Sequence, residues 1–177
     1  MINLADPYRE LHSARAFAGT TWRRYRNAFL AFLGPRAPGR PLILDFGCGP
    51  AGGIAAEPGL NVVAYDPYVE AYAAEPWGEP FEAFFSADVL EHLPEDAISD
   101  LAVRLCEAGS CKRAFAGVST RPAEKTFPDG SNLHLIVRPA DWWRLRLAEE
   151  LRPGGFRLTL AAADRVNKRA AFGFTRG

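Results

Sequence analysis

The sequence predicts an α/β fold: helices first, then a mainly parallel, doubly wound sheet that ends in an antiparallel hairpin and lacks part of one strand unit. Three observations predict it. From residue 41 onward, short apolar runs alternate with helix-patterned segments, as strands joined by helical crossovers do. The first run, Leu42-Ile43-Leu44, breaks into a glycine-rich turn, Gly47-Cys48-Gly49-Pro50-Ala51-Gly52-Gly53. The last two runs are joined by a short polar connection, which suits an antiparallel pair better than a helical crossover.

The elements follow in order. Residues 8–33 carry a helical pattern broken near Gly19-Thr20-Thr21. In the second helix Trp22, Tyr25, Phe29, Phe32 and Leu33 recur at helical spacing, which predicts a face packed on the sheet. The other use of this region is a lid over a bound cofactor, with Tyr8 or Arg15 reaching its polar end. Residues 34–39, with Pro35 and Pro38, end the helical part. Strand one is expected at 41–46 and strand two at 61–65, with a short helix at 51–57 stopped by Pro58-Gly59. The next strand, 81–86, begins only fifteen positions after Asp66. A further strand with its crossovers needs about 30 residues, so the strand-three region is reduced to the loop 67–80. A helix at 95–108 should bury Ile98, Leu101, Ala102 and Leu105, and a strand should follow at 113–118. After the polar stretch 119–138, Pro139 and Trp142-Trp143 open a helix to about residue 151. Pro153-Gly154-Gly155 turns the chain into strands at 156–161 and 170–175.

Composition bounds the function. A chain of 177 residues suits a single domain, 1–177, with residues 1–39 as a helical cap and 40–177 as the core. Lys+Arg and Asp+Glu both number 21, which argues against affinity gained by broadly neutralising phosphates and makes a nucleic-acid partner unexpected. No apolar run approaches the roughly 18 residues of a membrane span, and the start, MINLADPYRE, carries no signal-peptide core. Cys48, Cys106 and Cys111 form neither a disulfide framework nor a metal clip. A cytoplasmic protein without a membrane partner is expected.

The glycine turn carries the first functional signal. Gly47, Gly49 and Gly52 fit G-x-G-x-x-G, where absent side chains let a backbone loop close around a ligand. Asp66 ends the second apolar run, twenty-one positions after Asp45, where a carboxylate can accept both hydroxyl hydrogens of a ribose. A nucleoside-bearing cofactor follows. A dinucleotide would use the same loop, but Asp45 stands two positions before Gly47, where dinucleotide sites carry an apolar residue. That carboxylate suits a cationic cofactor, and no second nucleotide-binding half is present. S-adenosylmethionine fits better.

LILDFGCGP, VVAYDP and FFSADVLEHLPED, in this order, resemble the small class I S-adenosylmethionine-dependent methyltransferases over roughly residues 40–175. The resemblance implies a Rossmann-like sheet with a terminal antiparallel hairpin. It also implies a cofactor site built from Asp45, Gly47, Cys48, Gly49, Asp66, Pro67, Asp88 and Val89. In that family the loop equivalent to 47–49 packs against the aminoacyl part and the acid equivalent to Asp66 holds the ribose. Two departures stand out. Ala51 replaces the third glycine of the family's G-x-G-x-G, and the region that supplies an adenine contact is the reduced one. Tyr65, Pro67 and Tyr68 are the candidates for that contact.

Methyl transfer is an in-line attack on a sulfonium methyl, so the protein must place the nucleophile and, for a hydroxyl, remove its proton. Asp88, Glu91 and His92 stand at i, i+3 and i+4 just after strand 81–86, and His134 follows in the polar stretch. This D-x-x-E-H…H is similar to the E-x-x-E-H…H of metal-dependent methyltransferases, including those of small-RNA 2′-O-methylation. On that likeness Asp88, Glu91, His92 and His134 would bind a divalent cation, Mg or Mn. Many class I methyltransferases carry a similar stretch that binds no metal and closes the cofactor pocket. Without metal, His134 is the expected general base, with Asp88 beside it, unless His134 is a helix-flanking structural residue. Arg121, Lys125 and Arg138 either pair with an anionic substrate or line a solvated loop. Trp77, Trp142 and Trp143 could stack on a sugar or base, with at least one of the tandem pair in the core. The expectation is O-methylation of a small-molecule or sugar-like acceptor. The alternatives are a metal-dependent RNA-terminal 2′-O-methyltransferase and a non-catalytic nucleotide-binding module.

Overall fold

Six strands form one sheet in the order β2-β1-β3-β4-β6-β5. They are β1 (Leu42–Phe46), β2 (Asn61–Tyr65), β3 (Ala83–Ala87), β4 (Arg113–Ser119), β5 (Arg157–Asp164) and β6 (Arg169–Thr175). The computed structural model describes residues 19–34 and 41–177; the helix expected before Gly19, with Tyr8 and Arg15, and the segment from Pro35 lie outside the described residues. β1 to β4 are mutually parallel, and β6 enters antiparallel to both β4 and β5. The terminal hairpin is therefore present, with β5 running three residues further than expected, to Asp164.

β2 is an edge strand because residues 66–82 form only one 3-10 turn, Glu70–Tyr72. This is the reduced strand-three region. Asp66 N–H donates to Tyr72 O at 3.0 Å and closes the loop on itself. Trp77, further along, packs its ring against Phe46 and Phe81 at 6.4 and 6.2 Å. The helix expected at 51–57 is also shorter, a single 3-10 turn, Gly53–Ala56. Gly52 and Gly53 both hold positive φ, and Pro58-Gly59 follows, so few residues remain to propagate an α-helix.

Strand alternation divides the core between the two sheet faces. Phe84, Ala114 and Ala116 face a layer of α2 (Glu95–Glu107) and α3 (Ala140–Leu151), whose Ile98, Leu101, Ala102, Leu105, Trp143, Leu147 and Leu151 are buried there. Phe85 and Phe115 face the other way, onto Trp22, Tyr25 and Phe29. Those belong to a 3-10 turn, Thr21–Arg24, and the first described α-helix, α1 (Arg26–Leu33). Phe29 sits 4.5 Å from Phe85 and 5.4 Å from Phe115, ring centre to ring centre. This face is thus packed on the sheet. One glycine permits it: a Cβ on Gly117 of β4 would stand 2.6 Å from the Tyr25 ring.

Candidate functional site

In the parallel part of the sheet the chain leaves β1 toward β2 and returns on its other side as β3. Such a reversal opens a crevice beyond the carboxyl ends of the strands, where ligands of doubly wound sheets bind. The glycine turn, Asp66 and Asp88 all lie at that edge, directly after β1, β2 and β3.

The turn is pinned by main-chain bonds. Gly47 N–H and Cys48 N–H both donate to Tyr65 O, at 2.8 and 3.1 Å. Gly49 N–H donates to Asp66 Oδ2 at 3.0 Å, and Tyr68 N–H to Asp66 Oδ1 at 3.0 Å. Each carboxylate oxygen has two lone pairs, so Asp66 retains acceptor capacity for a diol. Val89 lies on the turn: a Cβ on Gly47 would meet its Cγ2 at 2.4 Å. The segment entering at Gly19 crosses the turn, its Cα 3.1 Å from where a Gly49 Cβ would stand. Cys48 is buried, and burial raises its thiol pKa.

Asp45 lies beneath the turn, 2% exposed, with Oδ2 accepting Ile54 N–H at 2.7 Å. A Cβ on Gly53 would be 2.0 Å from that oxygen, so the turn must close here on a glycine. Burial pushes the Asp45 carboxyl up to about 7; the Ile54 hydrogen bond acts against this, and the Asp66 charge with it. Among the adenine candidates, Tyr65 is interior, its hydroxyl donating to Glu75 at 3.1 Å, while Pro67 is exposed. Tyr68 joins a satellite cluster with Phe127 and Leu133. The Tyr72 hydroxyl, absent from the sequence reading, stands 2.7 Å from where a Gly52 Cβ would be.

Asp88 takes the left-handed conformation, φ 53°, and donates its N–H to Gly117 O at 2.8 Å. Its carboxylate turns toward the α1 side, where Tyr25 OH donates to Oδ1 at 2.5 Å and Arg24 Nη1 to Oδ2 at 3.3 Å. Glu91, on the 3-10 turn Leu90–His92, is wholly buried. Its Oε1 accepts Ser119 N–H at 2.6 Å, and its Oε2 has no hydrogen-bond partner. Burial holds this carboxyl well above the ordinary range, and the Asp88 charge adds to the effect.

The two histidines meet edge to face, ring centres 4.7 Å apart. His92 Nδ1 lies 2.9 Å from Leu133 O and His134 Nδ1 lies 2.6 Å from Arg121 O. Carbonyls only accept, so each Nδ1 carries the proton, and in the neutral rings Nε2 holds the lone pair. Glu91, His92 and His134 each offer a ligand atom within 4.8 Å of the other two. The structure brings these three together and leaves Asp88, the fourth residue of the expected set, outside the group. Burial lowers the His134 pKa; the Arg121 carbonyl and the Asp88 charge act in the opposite direction.

Asn132 organises the polar stretch. Its Oδ1 accepts Ala123 N–H at 3.0 Å and His134 N–H at 2.9 Å, and its Nδ2 donates to Ala123 O at 3.0 Å. Sequence reasoning missed Asn132 and the Tyr25–Asp88 pair; the Asp129-Gly130-Ser131-Asn132 turn signal was the only pointer to the former. Arg121 pairs with Glu124 at 2.9 Å, and Arg138 lies 5.8 Å over the Trp142 ring. Trp143 is fully buried, and Trp142 packs against it from the rim.

No protein-family model matches the chain, nor does any curated protein. Solved structures match its fold. The mitomycin 7-O-methyltransferase MmcR overlays with a TM-score of 0.54 at 14% identity, covering 86% of this chain and 53% of that one. Magnesium protoporphyrin IX methyltransferase from Synechocystis PCC 6803, with bound SAH, gives 0.54 at 14%, covering 89% and 82%. The methyltransferase domain of bacterial CtHen1 gives 0.54 at 12%, covering 86% and 97%. This is the class I methyltransferase fold. The chain spans about half the length of the mitomycin enzyme and nearly all of the CtHen1 domain. Within the class I methyltransferase fold seen here, no helix among the described residues is long and apolar enough to cross a membrane.

Proposed function

We propose that the chain is an S-adenosylmethionine-dependent methyltransferase acting on a hydroxyl oxygen of a small-molecule acceptor in the cytoplasm. The observation that carries this is the glycine turn after β1 facing Asp66 at the end of β2, at the crevice of a class I methyltransferase fold. The donor set fits the cofactor. Asp66 has lone pairs left for ribose hydroxyls, Gly47 and Gly49 offer side-chain-free backbone, and the Asp66 carboxylate gives the crevice floor a negative character that suits a sulfonium, to which Asp45 adds in its ionised form. Val89 and Asp88 close the crevice on the β3 side, and Pro67 borders it beyond β2. Bound S-adenosylmethionine supplies a methyl on positive sulfur, whose C–S bond breaks with its electrons going to sulfur as the acceptor oxygen attacks.

The chain's own residues then position the acceptor and accept its proton. Burial keeps the His134 ring neutral near pH 7, and with Nδ1 donating to Arg121 O, Nε2 is the proton acceptor. Asp88 stabilises the imidazolium electrostatically. Calorimetric titration should show binding of S-adenosylmethionine but not NAD, lost in Asp66→Ala, and labelled cofactor should then report methyl transfer in an acceptor screen. Absence of binding by either cofactor would remove this reading and leave the non-catalytic module.

A second reading adds a divalent ion. It is favoured by Glu91 Oε2, a buried carboxylate oxygen without a partner, beside two imidazoles whose Nδ1 groups are fixed by carbonyls. A bond from the other ring nitrogen to a carbonyl orients metal-binding histidines. Glu91, His92 and His134 would hold the ion, and an ion there makes acceptor hydroxyls more acidic. Asp88 would join only by leaving Tyr25. The zero net charge weighs against the RNA-terminal form of this reading. Thermal shifts with Mn or Mg, lost in His134→Ala, test the ion; indifference of both stability and activity to chelator removes it.

A further inference from the structure

Two guanidinium groups at the rim of the crevice have no role in the methyl transfer described above. Arg169 begins β6, whose residues alternate between the faces. Ala171, two positions on, packs with Tyr25 and Phe29, whereas Ala170 packs in the opposite cluster. Arg169 therefore belongs to the α1 face, opposite Ser119 of β4, the residue whose N–H holds Glu91. Arg24 reaches the same rim from the 3-10 turn and contacts Asp88. Arg169 also acts electrostatically on the Tyr25 hydroxyl, the other donor to Asp88.

The charges do not balance. Asp88 is the single carboxylate given an ion pair here, and its partner is Arg24, at a long 3.3 Å with Arg24 half exposed. Arg169 is half-buried and makes no ion pair among the described residues. Its neighbour across the hairpin, Asp164, turns both oxygens to its own turn, accepting Val166 N–H and Asn167 N–H on Oδ1 and Asn167 Nδ2 on Oδ2. Lys168 is exposed beside it, its carbonyl accepting Thr120 N–H at 2.8 Å and holding this rim against the start of the polar stretch. Arg169 acts on Asp164 through space without an ion-pair contact, so a half-buried guanidinium is left with its donors open to an anion, and a guanidinium suits the oxygens of a carboxylate or phosphate. Of the cations expected from sequence to serve such a group, Arg121, Lys125 and Arg138, Arg121 pairs with Glu124 and Arg138 lies over Trp142.

We propose that Arg24 and Arg169, with Lys168 at the rim, form an anion subsite that selects acceptors bearing a phosphate or carboxylate. The proposal rests on the methyltransferase reading for its purpose. Asp88 joins the subsite to the reacting groups, since it accepts from Tyr25 and Arg24 while its charge acts on Glu91 and His134.

The test is calorimetric titration of the full chain with inorganic phosphate and, separately, succinate, at constant ionic strength. Wild type should bind at least one, and the tighter of the two identifies the group selected. Arg169→Gln and Arg24→Gln should each weaken binding at least tenfold. Arg169→Lys should retain most of it, and Arg157→Gln, at the far end of the hairpin, should leave it unchanged. Circular dichroism checks that each variant is folded. Absence of anion binding by wild type, or equal binding by folded Arg169→Gln, overturns the subsite. S-adenosylmethionine titrated into the same proteins separates the two ideas: its failure to bind wild type sinks the methyltransferase reading, while anion binding lost in Arg169→Gln still establishes the subsite.

Discussion

Tyr25 and Asp88 are 63 positions apart in the chain and share a 2.5 Å hydrogen bond, with the Tyr25 ring lying flat on Gly117 of β4. The bond ties the helical segment before β1 to the turn that follows β3, and it holds Asp88 away from Glu91, His92 and His134. A hydrogen bond to a charged group contributes about 1.5–3 kcal/mol. Tyr25→Phe should therefore lower the urea unfolding free energy by roughly 1–3 kcal/mol. Gly117→Ala should cost a similar amount by pushing a methyl into the ring. Unchanged stability in Tyr25→Phe would mean that the bond contributes nothing in solution.

Asp45 predicts a pH dependence with a definite sign. Its folded pKa, raised to about 7 mainly by burial, lies above the ordinary value near 4. The folded state thus holds this proton more tightly than the unfolded state. The resulting stability is fully present below about pH 4 and is lost as pH rises through 7. Asp45→Asn keeps an acceptor for Ile54 N–H without the titration. Wild type should fall relative to Asp45→Asn between pH 4 and 7, by at most about 1.4 kcal/mol per pH unit, and then level off. Glu91 is present in both proteins, so the difference between their urea curves isolates Asp45; a flat difference would refute the assignment.

Asn132 should control the His134 ring through the chain that carries it. Asn132→Ala removes three hydrogen bonds and should reduce methyl transfer at least tenfold while leaving cofactor affinity within twofold. Asn132→Asp keeps both N–H contacts and adds a negative charge beside His134, so the ring should titrate at higher pH. An NMR titration of the His134 ring protons reads this directly. A ring unmoved in Asn132→Asp would show that residue 132 does not govern it.

Glu91 separates its own charge from any bound ion. In Glu91→Gln, Oε1 still accepts Ser119 N–H, and no charge has to be buried. Without added metal at pH 8, Glu91→Gln should be at least as stable as wild type, because the amide has no proton to lose, whereas the buried carboxyl must either keep its proton or be ionised at a cost on the order of several kcal/mol. With Mn added, only wild type should gain in Tm. A loss of stability in metal-free Glu91→Gln would show that the carboxyl has a structural partner.

Much of the scaffold was legible because its signals are local. The apolar runs bracket β1 and β2 closely, and the stripe of Ile98, Leu101, Ala102 and Leu105 marks the buried face of α2. The fourteen residues between Asp66 and Phe81 were too few for another strand and its crossovers, which anticipated the reduced region. The glycine turn and the place of Asp66 at the end of β2 were legible because their pattern is short and local. The 3-10 turn at Gly53–Ala56 was not, since two positive-φ glycines shorten what reads as a helix.

By itself the sequence determined the alternation of strands and helices, the crevice-forming order of its motifs and the acids placed within β1 and directly after β2 and β3. Periodicity and chain reach act within a few residues of their cause. Only the tertiary structure decided which side chains meet. It sent Asp88 to Tyr25, oriented His134 on Arg121 O, left Glu91 Oε2 without a partner and put Arg169 opposite Ser119. Those relationships depend on sheet register and on which face a helix covers, and packing across the whole chain sets both.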